Sequence, residues 1–328
     1  MEFLHRPVLL AEVLAGIAPR ADGIYVDGTL GGGGHAAEIC ARLSESGLLI
    51  GIDRDADALA AARETLASHP CAKLFVRDDF KNIKRILREN GVEKLDGALL
   101  DLGVSSFQLD EAERGFSYMR DAPLDMRMDA SRGITAEDVV NDYSRDELTR
   151  VIAQYGEERW ASRISAFIVK RRGEARIRRT GELSDIVKAA IPASARRDGP
   201  HPAKRTFQAI RIEVNGEIDG LGDAMGDFVD CLGPSGRLCV ISFHSLEDRA
   251  VKELFALREN PCVCPKDLPV CACGRTSDGR RITRKPIRAG ADELRDNPRA
   301  RGAKLRIFEK WAQGKSAPFA NVRESREV

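Results

Sequence analysis

Four consecutive glycines, Gly31 to Gly34, stand inside the run Asp27-Gly28-Thr29-Leu30-Gly31-Gly32-Gly33-Gly34-His35. An apolar strand, Ile24-Tyr25-Val26, leads in, and a helix-forming stretch from about Ala36 to Arg42 leads out. Four glycines carry a large conformational entropy into folding, which is offset where the backbone must approach something closely. At the mouth of a strand-turn-helix unit that something is a ligand. A second apolar strand, Leu48 to Ile52, ends at Asp53, twenty residues after Gly33. A carboxylate there is placed to accept hydrogen bonds from both hydroxyls of a ribose. The chain therefore opens with a nucleoside half-site in a βαβ setting.

Three ligand classes use such a turn. A P-loop ends in Gly-Lys-Ser/Thr, and Gly33-Gly34-His35 has no lysine. Gly31, Gly33 and Ala36 satisfy G-x-G-x-x-G/A for a dinucleotide, but that reading leaves Asp27 unexplained. The form D-x-x-x-G-x-G, with an acid before the glycines, is that of S-adenosylmethionine sites, and Asp27, Gly31 and Gly33 fit it. Asp53 then serves the ribose. Asp78-Asp79-Phe80, after the third strand, suits the adenine end, with Phe80 offering an aromatic face. Asp101 closes a fourth strand at the same sheet edge, where ligands of such sheets bind. Asp53, Asp55, Asp57 and Glu64 also mimic a calcium loop, but Ala58 stands where that loop needs glycine, and Ala56 to Ala67 is strongly helix-forming.

Strands expected at 24–27, 48–53, 73–77 and 96–101 alternate with helices at 35–45, 55–67 and 81–90, the pattern of a parallel sheet. From Phe107 to Pro202 the pattern turns helical, with segments at 135–141, 145–154, 157–171 and 181–191. Residues 203–232 read as helix interrupted at 220–226, and strands at 237–243, 281–288 and 304–309 resume the sheet. The expected fold class is α/β: given the S-adenosylmethionine form of the turn, a class I Rossmann-like methyltransferase sheet over 1–106 and 203–315, with an inserted all-helical domain over 107–202 and a flexible tail over 316–328. Apolar runs stay under ten residues, so no transmembrane helix is expected, and Met1 to Arg20 lacks a secretory layout. A cytoplasmic location is the expectation.

Net charge is +1, yet 163–205 holds twelve Lys and Arg against four Asp and Glu, and 275–310 holds twelve against five. Two basic segments on a near-neutral chain suggest contact with a polyanion, nucleic acid in preference to paired surface charge. Lys170, Arg171, Arg172, Arg176, Arg178, Arg179, Arg196, Arg197, Lys204 and Arg205 are the candidate phosphate contacts. Cys40, Cys71, Cys231 and Cys239 read as small core residues. Cys262-x-Cys264 and Cys271-x-Cys273 lie six residues apart among Pro261, Pro265, Pro269 and Gly274. Four thiols in so tight a loop suit tetrahedral zinc; the spacing departs from paired C-x₂-C, and a reduced or redox-sensitive loop fits equally.

Several strings look familiar together: His5-Arg6-Pro7-Val8-Leu9-Leu10, the glycine run, Ile52-Asp53-Arg54-Asp55, Leu100-Asp101-Leu102-Gly103-Val104-Ser105-Ser106-Phe107-Gln108-Leu109, Arg114-Gly115-Phe116-Ser117, Pro123 to Asp129, Arg205 to Arg211, Ser242 to Arg249, and Asn297-Pro298-Arg299-Ala300-Arg301. From about His5 to Glu309 the chain resembles the MraW-type family, the ribosomal RNA small subunit methyltransferases H. The resemblance implies methylation of the exocyclic N4 of one cytidine in the decoding region of 16S rRNA, with S-adenosylmethionine as donor. By motif position it implies cofactor contacts at Gly33, Gly34, His35, Asp53, Phe80, Asp101 and Gln108.

That chemistry needs an acceptor near a weakly nucleophilic amine. Related amino-methyltransferases follow the fourth strand with an acid or amide and Pro-Pro-aromatic; here Asp101-Leu102-Gly103-Val104 keeps the acid and lacks the rest. Asp101 and His244 are the catalytic candidates. Base-modifying enzymes must also unstack the base or use single-stranded RNA, and the basic insertion is the expected RNA holder. Small-subunit rRNA or the 30S particle is the expected partner, with a second copy of the chain, as a homodimer, a further candidate. The competing readings are an RNA-binding ribosome assembly factor with a structural cofactor, and an NAD-linked oxidoreductase, against which the Asp27 pattern argues.

Overall fold

The computed structural model describes residues 7–103, 112–197, 199–265, 268 and 272–312. The chain divides into two compact units, one over 1–53, 57–102 and 220–328, the other over 54–56 and 103–219.

In the first unit α1 (Leu10–Ile17) precedes β1 (Ile24–Asp27), α2 (Gly34–Cys40), β2 (Leu48–Asp53), α3 (Ala56–Leu66), β3 (Ala72–Arg77), α4 (Ile83–Glu89) and β4 (Leu95–Asp101). The second unit carries α5 (Ala136–Asp142), α6 (Arg145–Gly156), α7 (Ala161–Arg172), α8 (Thr180–Ala190) and α9 (Lys204–Asn215). The first unit then resumes with α10 (Leu221–Cys231), β5 (Leu232–Ser242), α11 (Ser245–Glu259), β6 (Gly279–Arg281), α12 (Ala291–Asp296) and β7 (Lys304–Lys310).

The seven strands form one sheet in the order β3-β2-β1-β4-β5-β7-β6. The first five run parallel, and β7 is antiparallel to both β5 and β6. That order, with a reversed β7, is the class I methyltransferase sheet. The order reverses at β1 and β4, and such a switch point opens a crevice outside the strands' carboxyl ends. Asp27 closes β1, Asp53 closes β2 and Asp101 closes β4, so the topology alone gathers them at one edge. Strand interiors such as Leu49-Ile50 and Ala98-Leu99-Leu100 are wholly buried, as a sheet covered by helices requires. No helix among the described residues is long and apolar enough to cross a membrane.

The second unit has its own core, with Val139, Leu148, Ile152, Ile164, Ile168, Leu183, Val187, Phe207 and Ile210 in one buried cluster. Its helix starts are written in the sequence: Thr135 with Asp138, and Ser144 with Glu147, form reciprocal capping boxes. The unit runs to Asp219, whereas the sequence expectation ended the insertion at Pro202 and gave 203–232 to the sheet. The reason is α9. Its Phe207 and Ile210 are buried among the insertion's helices, each worth about 1.5–3 kcal/mol, and they tie it there. The helix break falls at Gly216–Gly220, ahead of the expected 220–226, because Gly216 and Gly220 take left-handed conformations around it. The segment expected as a strand at 281–288 forms β6 over Gly279–Arg281, and beyond it Ile282 N–H donates to Ile307 O (2.9 Å) and Ile287 bridges to Leu305.

Candidate active site

The glycine turn is stitched to both neighbours of β1. Gly28 N–H donates to Leu99 O of β4 (2.9 Å), and Leu30 N–H to Ile52 O of β2 (3.0 Å). Gly33, at φ +83°, caps α2 from the left-handed region, which an L side chain adopts only with strain. A Cβ at Gly28 would meet Leu100 Cδ2 at 2.5 Å and Phe80 Cβ at 3.2 Å, so that glycine serves packing. Around Gly32 there is open space, with nothing within 4 Å of a Cβ built there. The bare, exposed backbone of the turn is therefore at Gly32.

Three carboxylates surround this turn, and each has a distinct state. Asp53 Oδ2 accepts the Gly31 N–H (2.8 Å), so Asp53 shapes the turn. Asp27 is fully buried and accepts the Thr29 N–H (3.2 Å). Burial raises its pKa to about 7, opposed by the Thr29 hydrogen bonds and helped by the charge on Asp53. Asp101 receives its backbone order from Thr29, whose Oγ1 accepts the Asp101 N–H (2.6 Å). Its Oδ1 is buried and has no hydrogen-bond partner among the described residues, although the side chain as a whole keeps 27% of its surface through its other atoms. Burial raises the Asp101 carboxyl well above the usual range, with the charges of Asp27 and Glu247 adding. Carboxyls crowded and raised in this way suit a cationic guest, since a nearby sulfonium or ammonium charge would favour their ionised forms.

The raised Asp27 pKa has a consequence for stability. The folded state holds a proton that the unfolded chain has lost between about pH 4 and pH 7, so stability falls as pH rises through that window. Moving a carboxyl from its ordinary value to about 7 corresponds to about 4 kcal/mol, as an upper figure. Asp27→Asn is therefore expected to melt higher than wild type at pH 8 in the cofactor-free state and to flatten the slope of Tm between pH 5 and pH 8. Thermal melts across that range test this; an unchanged slope would show that Asp27 is not buried as described.

His35 follows the turn in α2 and is buried. Its Nε2 lies 2.9 Å from Val8 O; a carbonyl can only accept, so the proton is on Nε2. Nδ1 stands 3.7 Å from Asp101 Oδ2, beyond direct hydrogen bonding. Phe80 opens a short 3₁₀ turn after β3, half-buried, with its ring 6.4 Å from that of Phe228. Asp78 is occupied: it accepts from Asn82 Nδ2 and Asp79 N–H and pairs with Arg85. Burial would raise its pKa, but these bonds outweigh burial and lower it. Gly34 is exposed at the first position of α2. Gln108 lies outside the described residues.

His244 ends the turn after β5 and caps α11. Its Nδ1 accepts the Glu247 N–H (3.4 Å), while Glu247 Oε2 accepts the Phe243 and His244 N–H groups. Nε2 approaches Glu247 Oε1 at 3.0 Å without hydrogen-bonding geometry. The ring thus organises the helix start, and through Glu247 it adjoins the Asp101 carboxylate electrostatically. Thr29 and Glu247 were not read from the sequence. Thr29 has no separate signal inside a glycine run, but His244-x-x-Glu247 is a capping-box spacing.

In the helical unit the candidate phosphate contacts divide. Arg179 pairs with Asp121 (2.6 Å), Arg176 with Glu137, Asp138 and Asp142, and Arg171 approaches Glu182 at 3.9 Å. Arg172 and Arg205 donate to the backbone carbonyls of Val140 and Glu157. Lys170, Arg178, Arg197 and Lys204 are exposed and have no acidic partner among the described residues. Two adjoining open hollows, about 470 and 260 Å³, share Arg159, Trp160 and Ala195. Arg196 and Arg205 line the second. Trp160 Nε1 and Arg196 Nε are buried donors without partners among the described residues, and the His201 ring stacks on Tyr118 at 4.8 Å.

A reversed-β7 sheet, a glycine turn at its switch point and three carboxylates at the strand ends define a class I methyltransferase that uses S-adenosylmethionine. The MraW methylase family model matches residues 2–311, and the chain belongs to that family. Similar proteins named ribosomal RNA small subunit methyltransferase H occur in Acetivibrio thermocellus (56% identical over 312 residues, 94% of this chain and 100% of that protein) and in Clostridioides difficile strain 630 (53% over 310 residues, 94% and 100%). Another, from Symbiobacterium thermophilum, is 53% identical over 317 residues, covering 97% of this chain and 100% of that one.

Proposed function

We propose that this methyltransferase acts on ribosomal RNA of the small subunit, transferring a methyl group to the exocyclic N4 of a cytidine in the decoding region, in the cytoplasm. The observation that carries the reading is Asp101: a buried carboxylate oxygen without a partner among the described residues, on a carboxyl with a raised pKa, at the switch point of a methyltransferase sheet. The cofactor, when bound, supplies an electrophilic methyl on a sulfonium. Asp53 holds the ribose hydroxyls while keeping the glycine turn closed through Gly31. The bare backbone at Gly32 admits the methionine end, with Gly33 and Gly34 carrying the turn into α2, and Phe80 offers its ring to the adenine. His35, anchored on Val8, backs the Asp101 side of the pocket. The Asp101 carboxylate accepts from the target amine, localising its lone pair, and takes the proton that nitrogen must lose. His244 is a positioning residue in this reading, acting through Glu247.

The RNA side rests on the helical unit. Exposed Lys170, Arg178, Arg197 and Lys204 supply unpaired positive charge for phosphates. The hollow beside Trp160, with cationic and aromatic walls and two donors unpartnered among the described residues, has the chemistry that single-stranded RNA engages. Incubating the protein with labelled cofactor and either 30S particles or free 16S rRNA, then mapping the modified nucleotide, tests the reading. Label on one decoding-region cytidine at N4 is the expected result; binding without transfer, or label elsewhere, overturns it.

Asp53→Ala is expected to weaken S-adenosylmethionine binding at least about a hundredfold, because two hydrogen bonds to a charged group contribute about 1.5–3 kcal/mol each. Equilibrium dialysis with labelled cofactor measures it. Wild-type binding at limiting cofactor would remove Asp53 from the site.

A further inference from the structure

The connection from α11 to β6 is the segment of the sheet unit least explained by packing. Between Asn260 and Asp278 no helix or strand forms among the described residues. Two of its apolar side chains face solvent: Val263 is 61% exposed and Leu268 42%. The ends are pinned, since Asp278 N–H and Ser277 Oγ both donate to Arg258 O. So long a connection without secondary structure is uncommon in a compact domain and calls for another source of order.

Three cysteines meet inside it. The Sγ atoms of Cys262, Cys264 and Cys273 all lie within 4.8 Å of one another, and Cys262 and Cys273 stand 3.9 Å apart. Tetrahedral thiolates at Zn–S distances near 2.3 Å place their sulfurs about 3.8 Å apart. A disulfide needs about 2.05 Å and would employ only two of the three. Ala272 N–H points at Cys264 Sγ (3.3 Å), a backbone donor of the kind that supports a metal-bound thiolate. The remaining described thiols contrast sharply. Cys40, Cys71, Cys231 and Cys239 are buried, and burial pushes Cys40 and Cys239 up to about 12.

The geometry points to a structural zinc site formed by Cys262, Cys264 and Cys273 that clips the α11–β6 connection. Each thiol releases a proton to water as it becomes a ligand, so loading is favoured as pH rises. Cys271, the remaining member of the expected set, lies outside the described residues, and the site stands on the other three. Zinc is redox-inert and the loop is remote in sequence from Asp27, Asp53 and Asp101, so the role is to order chain rather than to react.

Full-length protein, kept reduced, exposed to zinc and freed of unbound metal, is the test sample. One zinc per chain is expected by elemental analysis, lost in Cys262→Ser/Cys264→Ser and retained in Cys231→Ala. Because the double variant could fail to fold, wild type supplies the second readout: alkylation at Cys262, Cys264 and Cys273 should accelerate about tenfold or more when a chelator is added, while the buried thiols stay unreactive. Absence of zinc in the reduced wild type, labelling unchanged by chelator, or a Cys262–Cys273 disulfide in place of metal would each overturn the site.

Discussion

Asp101→Asn is expected to lower the rate of methyl transfer about 10²- to 10⁴-fold, the range for a lost general base, while leaving cofactor affinity within a few-fold of wild type. Asparagine keeps the shape of the side chain and its backbone bond to Thr29 Oγ1. It loses the charge that localises the amine lone pair and the site that takes its proton. The pH dependence separates this from a packing defect. Burial, Asp27 and Glu247 hold the Asp101 carboxyl well above its ordinary range. Only the carboxylate accepts a proton, so wild-type kcat/KM should climb with pH along a limb centred above the usual carboxylate value. In the variant that limb should vanish along with the rate. A variant that keeps the wild-type kcat, or that loses rate only through a raised KM for cofactor, would assign Asp101 to cofactor binding alone. Saturating the wild type with the neutral product, S-adenosylhomocysteine, offers a further check: without a sulfonium charge it should depress the Asp101 pKa less than the substrate cofactor does.

The parts of this site set by local chemistry were readable in one dimension. Asp27, the glycines and Asp53 share a strand-turn-helix-strand unit, and their spacing follows from one geometry, so the sequence carries it whole. Parallel strands announce themselves as apolar runs, and β1, β2 and β4 fall within a residue of expectation. Long-range packing was not readable in that way. Whether α9 belongs to the sheet or to the insertion depends on where Phe207 and Ile210 find partners, and nothing within Lys204–Asn215 says so. The state of Asp101 is likewise nonlocal: its raised pKa comes from burial first, with the charges of Asp27 and Glu247, on other elements, adding. Charge counting fared unevenly for a related reason. It found the basic insertion but could not tell Arg176, spent on three acidic neighbours, from Lys204, which has none among the described residues.

Gly115→Ala should be the most damaging small substitution in the helical unit, costing at least about 3 kcal/mol. The string Arg114-Gly115-Phe116-Ser117 entered the sequence reading only as a family likeness; the structure supplies its cause. Gly115 sits at φ +71°, and a Cβ there would lie 2.2 Å from Pro123 O and 3.0 Å from Asp125 N. Backbone atoms cannot step aside as a side-chain tip can, so the 123–126 segment would have to move. That segment is held from both sides. Met126 N–H donates to Arg114 O (3.0 Å) and Leu124 N–H to Arg178 O (2.9 Å). The Arg114 guanidinium pairs with buried Asp55 (3.2 Å) and donates to Arg127 O and Met128 O. Displacing it breaks these bonds together and pulls Leu124 and Met126 from the core. Gly133→Ala is the control, since φ there is +83° with nothing within 4 Å of the new methyl. It should cost only the left-handed strain, about 1–2 kcal/mol. The difference between the two variants in chemical or thermal unfolding isolates the backbone collision. Equal destabilisation would mean that the 114–126 contact is not as close as described, and that conformation alone selects glycine at both places.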